Sequence, residues 1–489
     1  MATFLGIDVG TSSIKAILLD ERQTLLAEAG APLAVERPHP LWSEQDPEAW
    51  WQATCQAVAE IRARHPDRMA EVEGIGLSGQ QHGATLLAAD GSVLRPCILW
   101  NDGRSGAECR ELLERVPDFM ARSSNITMPG FTAPKLLWVA RHEPDVFARV
   151  ATVLLPKDYV RFRMTGARVS EMSDSAGTLW MDVAHRRWDD VLIEACGLTR
   201  AAMPDLVEGS EISATLSPEV SQLWGMGGRP VPVAGGGGDN ACSAVGIGAT
   251  REGDGFLSLG TSGVVFATTD RPVALPERTL HAFCHALPGR WHGMAVTLSG
   301  ALSLSWLAGL LGASGDIPGL VAKAEDFARD PVRVAHAPMF LPYLTGERTP
   351  HNDPNATAHL AGLRVEHDQG ALTYAVLEGV AFALADCLDV LVAAGAPPRQ
   401  CMLVGGGSRS AFWAQVIADA TGLTLDVPAG AEVGAAFGAA RLGMLAAGGS
   451  EAEVCGKPSV RRRVEPGLLD AALVARRKAA TLALYSGRA

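Results

Sequence analysis

The sequence carries one short pattern twice, and in each copy a Gly-Thr-Ser turn separates two apolar runs. The first copy, GIDVGTSSIK, occupies residues 6–15, and the second, LSLGTSGVVF, occupies residues 257–266. The apolar runs of each copy predict two antiparallel strands joined by a tight turn. Because an internal repeat reflects a repeated structural unit, we predict a duplicated α/β fold with one copy of the unit in each half of the chain.

The two turns have the composition of a phosphate-binding site. Glycine accepts backbone angles that leave N–H groups open to a close ligand, and backbone N–H groups in a turn bind anions. Two such turns, one from each half, suit a single polyphosphate held from opposite sides. The alternative for each turn is an ordinary hairpin. The predicted phosphate-binding residues are Gly10, Thr11, Ser12 and Lys15 in the first turn and Gly260, Thr261 and Ser262 in the second.

Two acids stand beside glycine-rich segments. Asp8 precedes the first turn, where a carboxylate suits Mg²⁺ held through water. Asp239 follows a predicted strand at residues 230–234 and four consecutive glycines at 235–238. A carboxylate in this place is positioned to accept the proton of a hydroxyl group, and the alternative is that Asp239 only caps the following helix. We predict that Asp239 is catalytic and that Asp8 and Asp239 form the metal site.

Polar clusters after the predicted strand at 71–77 and after residue 99 have the composition of a sugar site. An indole ring can stack on a sugar carbon chain, and fixed polar groups can bond its hydroxyls. An unpaired buried polar group costs about 1–3 kcal/mol, so such a site needs matched donors and acceptors. For the histidine of the first cluster, the alternative is a structural role. The predicted sugar-binding residues are Gln81, His82, Trp100, Asn101, Asp102, Asp239 and Asn240.

A triple glycine in the second half predicts a nucleotide platform. It stands between a predicted strand at 402–404 and a predicted helix at 412–421, where glycine lets an adenine or ribose lie against the backbone and the helix start favours phosphate. The predicted nucleotide-binding residues are Gly405, Gly406, Gly407 and Ser408. The motif HAFCH at 281–285 raises zinc as an alternative if His281 and His285 share a helical face, but no further Cys/His cluster nearby completes a tetrahedron.

Composition excludes several classes of protein. The 489 residues are 47% hydrophobic and 20% charged with a net charge of −12, which indicates a globular protein and disfavours a nucleic-acid partner. Nine scattered cysteines without a CxxC pair predict reduced thiols of the cytoplasm. The apolar stretch at 379–396 contains Asp386 and Asp389, so it predicts a buried helix and not a membrane span. The chain starts directly with strand pattern, and we expect no leader.

The duplicated turn resembles the two phosphate loops of the sugar kinase, actin and heat-shock chaperone superfamily. Residues 130–142, GFTAPKLLWVARH, and the positions Trp413, Gln415, Ala418 and Asp419 resemble the two signatures of the FGGY family of carbohydrate kinases. The resemblance covers nearly the whole chain. It implies duplicated actin-like, ribonuclease H-like ATPase domains that flank a central cleft, with residues 1–246 on the sugar side and residues 247–489 on the adenosine side.

Within the family, runs such as LRPCILWNDGR and GERTPHN are similar to the members that phosphorylate D-xylulose. This resemblance implies in-line transfer from ATP with Mg²⁺, with Asp239 as general base for the 5-hydroxyl, and a homodimer. Gln81 departs from the family, which usually has methionine before the histidine, and this departure bears on the sugar range. The GERTP loop resembles one beside the cleft, and no role is predicted for Glu347, Arg348 or Thr349.

Two alternatives remain open at the level of sequence. One is an FGGY kinase for ribulose, gluconate, fuculose or glycerol. The other, of a different class, is an actin- or chaperone-like binding module driven by ATP. The second is disfavoured because no peptide-binding domain or filament-type insert is evident, and it predicts ATP turnover that is indifferent to sugars.

Overall fold

The structure is a computed structural model, and it describes residues 2–430 and 434–486. The strands, in chain order, are β1 Thr3–Val9, β2 Ser13–Asp20, β3 Leu25–Pro32, β4 Glu44–Gln45, β5 Val72–Gly79, β6 Thr85–Leu87, β7 Cys97–Ile98, β8 Thr152–Leu154, β9 Val169–Glu171, β10 Met181–Asp182, β11 Arg187–Trp188, β12 Asp205–Val207, β13 Ile212–Thr215, β14 Pro232–Ala234, β15 Gly237–Gly238, β16 Asp254–Leu259, β17 Gly263–Thr269, β18 His281–Cys284, β19 Trp291–Thr297, β20 Met339–Leu341, β21 His359–Ala361, β22 Gln400–Val404, β23 Leu425–Pro428 and β24 Val460–Val464.

The strands alternate with helices, and three short 3₁₀ segments lie at Arg200–Ala202, Pro276–Arg278 and Gly406–Arg409. The helices are α1 Pro47–Arg64, α2 Pro66–Ala70, α3 Gly106–Arg115, α4 Phe119–Ser123, α5 Thr132–His142, α6 Pro144–Phe147, α7 Pro156–Thr165, α8 Met172–Ala176, α9 Asp190–Ala195, α10 Pro218–Leu223, α11 Asp239–Gly246, α12 Leu302–Leu310, α13 Ile317–Ala328, α14 Pro331–Ala335, α15 Gln369–Ala393, α16 Ala411–Thr421, α17 Ala435–Ala446, α18 Glu451–Val454 and α19 Ala471–Ser486.

Two seven-stranded sheets share one plan. The first has the order β13-β14-β5-β1-β2-β3 with β15 beside β5, and the second has the order β18-β19-β17-β16-β22-β23-β24. In the first sheet β1 pairs antiparallel with β2 across a Gly-Thr-Ser turn and parallel with β5. In the second sheet β16 pairs in the same two ways with β17 and β22. The predicted duplicated, actin-like α/β fold is therefore confirmed.

The core of the second half is built around α15. This helix is buried on almost every side over its 25 residues, as expected for a helix that is apolar all round. Its outer face carries Asp389, which pairs with Lys478 at 2.6 Å. No helix within residues 2–430 and 434–486 is long and apolar enough to cross a membrane.

The HAFCH motif lies in a strand and not in a helix. Residues His281–Cys284 form β18, which pairs with β19, so the helical spacing that a zinc site would need does not exist and that alternative is wrong. His281 is buried among aromatic rings, with Phe131 at 5.6 Å and Phe283 at 5.9 Å between ring centroids. Successive side chains of a strand alternate between its faces. The pairing with β19 and the aromatic neighbours of His281 therefore favour a strand here.

Helices α11 and α17 connect the two sheets by close contacts that involve glycine. Helix α17 lies on the first sheet, where a Cβ on Gly6 or Gly76 would stand 2.1 or 1.7 Å from a carbonyl oxygen of the helix. The two helices also touch, since a Cβ on Gly438 would stand 1.7 Å from the Cys242 carbonyl oxygen. At its other end α11 packs through Ala244 on the core of the second sheet. The domain boundary predicted near residue 246 stays a prediction. Helix α17 follows this boundary in the chain but packs on the first sheet.

We expect Gly76→Ala to destabilise the protein, because its methyl group would collide with the backbone of α17. Overpacking of this kind costs about 1–3 kcal/mol. Thermal unfolding should show a clear fall in melting temperature. The matched control is Gly315→Ala in an exposed turn, where a Cβ would meet nothing within 4 Å; equal melting temperatures for the two variants would contradict the proposed close contact.

Candidate active site

The ends of the central strands meet at one place. Across β5, Asp8 of β1 stands opposite Ser78, and Gly237 of β15 stands opposite the same residue. Asp239 follows β15 directly as the first residue of α11. Two of the acids predicted from the sequence therefore lie at neighbouring strand ends, which is where open α/β sheets bind ligands.

The Asp239 carboxyl is buried at the first turn of α11. Its Oδ1 accepts hydrogen bonds from the backbone N–H of Asn240 at 2.7 Å and from the Asn240 side chain at 2.9 Å. Burial, and then the negative charge of Asp8, raise the pKa of Asp239 from 3.8 to about 6. A carboxyl with this pKa is largely ionised at neutral pH and is a better proton acceptor than an ordinary aspartate.

The Asp8 carboxyl has the properties of a cation ligand. Its Oδ1 is buried and accepts no hydrogen bond from any residue in the described ranges, and burial raises its pKa. Two buried carboxyls, one of which raises the pKa of the other, suit a divalent cation between them. The described residues contain no group of three or more acids, histidines or cysteines that could hold a metal, so a Mg²⁺ at Asp8 and Asp239 would need oxygens from a ligand and water, as Mg²⁺ commonly does.

The first Gly-Thr-Ser turn is held by side chains that the sequence did not single out. The Thr11 hydroxyl donates to Gln80 Oε1 at 2.9 Å and accepts from Trp100 Nε1 at 2.9 Å. Gln45 Nε2 donates to the Thr11 carbonyl oxygen at 2.7 Å and Gln80 Nε2 donates to Gln45 Oε1 at 3.1 Å. The turn and the predicted sugar-side Trp100 are therefore one hydrogen-bonded unit. Ser12 is exposed at its tip.

Lys15 belongs to the strand after this turn and is engaged elsewhere. It stands opposite Asp8 in the β1–β2 pair. Its Nζ forms an ion pair with Glu28 at 3.0 Å on β3. The structure therefore places Lys15 beside the turn, with its charge directed along the sheet.

The second turn is similar, with one residue fewer between its paired strands. The Gly260 N–H donates to the Ser262 carbonyl oxygen at 3.0 Å, as the Gly10 N–H donates to that of Ser13 at 3.1 Å. The segment before α12 closes over the second turn, with Gly300 N–H donating to the Thr261 carbonyl oxygen at 2.9 Å. A Cβ on Gly300 would stand 2.6 Å from the backbone of Ser262, so glycine is required for this approach.

Two cavities lie between the sheets and meet at Asn240 and Ser258, which line both. The smaller has a volume of about 310 Å³ and the larger about 550 Å³. The smaller is lined by Gln80, Gln81, His82, Trp100, Met128, Gly130, Phe131, Asp239, Asn240, Ser258, Ser262, Val264, Met294, Val296 and Arg348. The larger is lined by Asn240, Ser243, Ile247, Phe256, Ser258, Val404, Gly405, Ser408, Arg409, Val427, Pro428, Gly434 and Arg461.

Some predicted residues do not line a cavity. Asn101 is exposed, and Asp102 is buried with its carboxylate held by Arg104 in a two-point ion pair at 2.7 and 2.9 Å. Gly406 and Gly407 lie beside Gly405 and Ser408 without lining the larger cavity; a Cβ on Gly407 would stand 2.3 Å from the Leu259 side chain. The structure brings together the rest of the predicted sugar residues with Asp239.

His82 presents a hydrogen-bond acceptor to the smaller cavity. Its backbone has φ +68°, and its Nδ1 lies 2.7 Å from the Gly177 carbonyl oxygen. A carbonyl only accepts, so Nδ1 carries the proton and Nε2 has the free lone pair. Burial lowers the His82 pKa to about 3, which keeps the ring neutral. The residue is therefore fixed in one tautomer.

A buried charged network supports the glycine run that leads to Asp239. Lys157 Nζ contacts Asp158 at 2.7 Å and Asp174 at 3.1 Å. Arg161 contacts Asp158 at 2.7 Å and also donates to the Gly235 carbonyl oxygen. The Ser173 hydroxyl accepts from the Gly238 N–H at 3.2 Å. The network was not predicted, because its charged members lie within residues 157–174 while the glycine run that they support is about 60 residues further along the chain.

Comparisons with known proteins agree over most of the chain. Residues 3–246 match the model of the N-terminal domain of the FGGY family of carbohydrate kinases, and residues 255–447 match the model of its C-terminal domain. The xylulose kinase of Escherichia coli (strain K12) is 53% identical over 446 residues, which are 91% of this chain and 90% of that one. A xyloylose kinase from Brucella ovis has a TM-score of 0.94 at 48% identity, covering 99% of each chain. The xylulose kinase from Rhodospirillum rubrum has a TM-score of 0.91 at 29% identity, covering 99% of this chain and 98% of that one.

We expect Asp239→Asn to be more thermally stable than the wild type at pH 8. The pKa of Asp239 is higher in the folded protein, about 6, than its unfolded value of 3.8. Protonated Asp239 therefore stabilises the fold below about pH 4, and this contribution to the free energy of unfolding is lost as the pH rises through 6. Replacing the buried carboxylate with a neutral amide should therefore raise the free energy of unfolding at pH 8 by up to about 3 kcal/mol. Melting temperatures at pH 5 and pH 8 would measure this.

The gain of Asp239→Asn should be smaller at pH 5 than at pH 8. The control is Asp326→Asn, whose carboxylate is exposed and pairs with Arg329 and which should show no such pH dependence. A melting temperature of Asp239→Asn equal to the wild type at both pH values would contradict the unfavourable burial of this carboxylate.

Proposed function

Because the chain belongs to the FGGY family of carbohydrate kinases, we propose that it transfers the γ-phosphate of ATP to D-xylulose. Family membership makes the protein a phosphotransferase that acts on a carbohydrate. The identity of 53% to a xylulose kinase supports the choice of sugar. The observation that carries the proposal is the buried Asp239 carboxyl, which lines the smaller cavity next to Asn240, a residue that lines both cavities.

Asp239 acts as the general base in this proposal. Its carboxylate takes the proton of the 5-hydroxyl while that oxygen forms a bond to the γ-phosphorus, and the bond from that phosphorus to the bridging oxygen of ADP breaks. Phosphoryl transfer needs little more than alignment and neutralised charge. Mg²⁺, held by Asp8 and Asp239, would neutralise phosphate charge. The Gly10 and Gly260 turns direct backbone N–H groups toward the phosphates from opposite sides.

The smaller cavity holds the sugar and the larger one the nucleoside. His82 accepts a hydrogen bond from a sugar hydroxyl at Nε2, and Trp100 offers its half-exposed ring to the carbon chain. Asn240 contributes to both cavities. Asp102 and Asn101 act by holding the Trp100 segment, since Asp102 is tied to Arg104.

Gly405 and Ser408 form the nucleoside platform, with Gly406 and Gly407 shaping its backbone. Residues 1–246 and 247–489 form two domains that close on the substrates, which excludes water and limits ATP hydrolysis. We also propose a cytoplasmic setting, which the nine free thiols of the described residues support. A homodimer remains part of the proposal by resemblance to the family.

Gln81 favours one alternative substrate class. Its side chain lines the smaller cavity and forms no hydrogen bond with the described residues, and a Cβ on Gly238 would stand 2.6 Å from its amide nitrogen. An unengaged amide beside the base can bond a hydroxyl that a methionine could not. The alternative is therefore an FGGY kinase with another ketose or polyol as substrate.

The proposal is tested by sugar-dependent release of ADP from Mg-ATP, with D-xylulose, D- and L-ribulose, D-fructose, D-gluconate, xylitol and glycerol in parallel. We expect kcat/KM for D-xylulose to exceed every other value by at least about 10-fold, since a single matched polar contact discriminates at this level. A higher kcat/KM for another sugar would contradict D-xylulose as the substrate but would still support a carbohydrate kinase. ADP release that no sugar stimulates would contradict the kinase itself.

A further inference from the structure

The GERTP loop brings a cation from the second half of the chain to the wall of the smaller cavity. Arg348 lines this cavity with Gln81, His82 and Asp239 of the first half. The remaining second-half residues of the wall are serines and apolar side chains. Arg348 is therefore the one positively charged side chain among the described residues that line it.

The backbone of Arg348 is clamped on both sides to strand β19. Before it, Glu347 accepts from the Thr297 hydroxyl at 2.7 Å and from the Leu298 N–H at 3.0 Å. After it, the Thr349 N–H donates to the Val296 carbonyl oxygen at 3.0 Å, and the Thr349 hydroxyl accepts from the Val296 N–H at 3.0 Å. The backbone that carries Arg348 is therefore fixed before any ligand arrives, which lowers the entropy lost on binding.

The guanidinium of Arg348 has no hydrogen-bond acceptor among the residues that the structure describes. It makes no hydrogen bond or ion pair with residues 2–430 or 434–486, and burial lowers its pKa. The adjacent Glu347 attracts this charge but does not bond the guanidinium, because its carboxylate oxygens accept from backbone N–H groups and the Thr297 hydroxyl. A partly buried cation without a partner is unfavourable, and an oxygen-bearing ligand would relieve this.

The charge of Arg348 acts on two histidines, of which His82 lines the smaller cavity. It is among the causes that lower the pKa of His82 and of His281. The pKa of Asp239, in contrast, responds to burial and to Asp8. Strand β19, to which the Arg348 segment is bonded, pairs with β18, and the centroid of the Phe283 ring of β18 lies 6.1 Å from that of the His82 ring. We therefore place Arg348 on the His82 side of the cavity.

We propose that Arg348 binds the C2 carbonyl oxygen of a ketose and thereby selects a ketose over the corresponding polyol. This rests on the proposed function, which puts the phosphorylated end of the sugar at Asp239 and hence the C1–C2 end at Arg348. A guanidinium only donates hydrogen bonds. A carbonyl oxygen only accepts them, whereas a hydroxyl also carries a proton that the guanidinium cannot accept, so the carbonyl is the better match.

The test measures the dissociation constants of D-xylulose and xylitol for the full-length protein by calorimetry, in the wild type, Arg348→Met and Arg348→Lys. We expect Arg348→Met to weaken D-xylulose binding about 10- to 100-fold, as expected for a charged hydrogen bond, and xylitol binding less than 3-fold. Arg348→Lys keeps the positive charge but lacks the two parallel N–H donors of the guanidinium, so its dissociation constant for D-xylulose should lie between those of the wild type and Arg348→Met. The KM for ATP should stay within about 2-fold of the wild type, because the contact is confined to the sugar.

The matched control is Arg409→Met, which removes an arginine from the larger cavity. It should raise the KM for ATP and leave D-xylulose binding unchanged. Melting temperatures of all variants identify any that fail to fold, and Arg348→Lys then carries the comparison.

Several outcomes would overturn the proposal. Equal weakening of D-xylulose and xylitol would show that Arg348 only shapes the cavity, and unchanged binding would show no contact. Tighter binding of D-gluconate than of D-xylulose by the wild type, lost in Arg348→Met, would assign the cation to a carboxylate. A wild type that binds no D-xylulose at all would instead contradict the proposed function.

Discussion

The arrangement of the site depends on one unfavourable interaction, the burial of the Asp239 carboxyl beside that of Asp8. Two acids at neighbouring strand ends repel each other when both are ionised. The surrounding structure holds them there: Arg161 bonds the backbone of Gly235, and Ser173 bonds that of Gly238. The same repulsion makes the position suitable for a cation and a proton acceptor, so the cost in stability and the proposed chemistry have one origin.

This interaction is linked to the connection between the two halves. Asp239 begins α11, which touches α17 with a spacing that only glycine at 438 allows, and α17 in turn lies on the first sheet. The helix that carries Asp239 is therefore in contact with elements of both sheets. The smaller cavity has walls from both halves, with His82 on one side and Arg348 on the other. The proposed base, Asp239, is therefore carried by a helix that contacts both of the halves that form the cavity.

Local sequence patterns predicted the duplicated turns, the flanking strands and the α/β class, because turn chemistry and apolar alternation are short-range properties. They also led to His82 and Asp239, which follow strand ends. They missed Gln45 and Gln80, because only the folded chain shows that these amides hold the first turn. The helical spacing on which the zinc alternative for His281 and His285 depended is absent, since residues 281–284 form a strand that pairs with β19.

The predicted sugar residues show the same limit. A polar residue near a strand end can face the cavity, as Trp100 does, or turn away into an ion pair, as Asp102 does with Arg104. Composition does not distinguish the two. Arg348 is the opposite case, because no role was predicted for it and yet it lines the cavity. Only the hydrogen bonds of its neighbours to β19 show where it lies.

The central claim is that Asp239 accepts the proton of the sugar hydroxyl, and the most direct measurement is the sugar-stimulated release of ADP by Asp239→Asn, together with its affinity for ATP. Asparagine keeps the shape and the hydrogen bond from Asn240 but cannot accept the proton. The account predicts a fall in kcat of at least about 100-fold with ATP binding retained. A variant that phosphorylates sugar at the wild-type rate would contradict it.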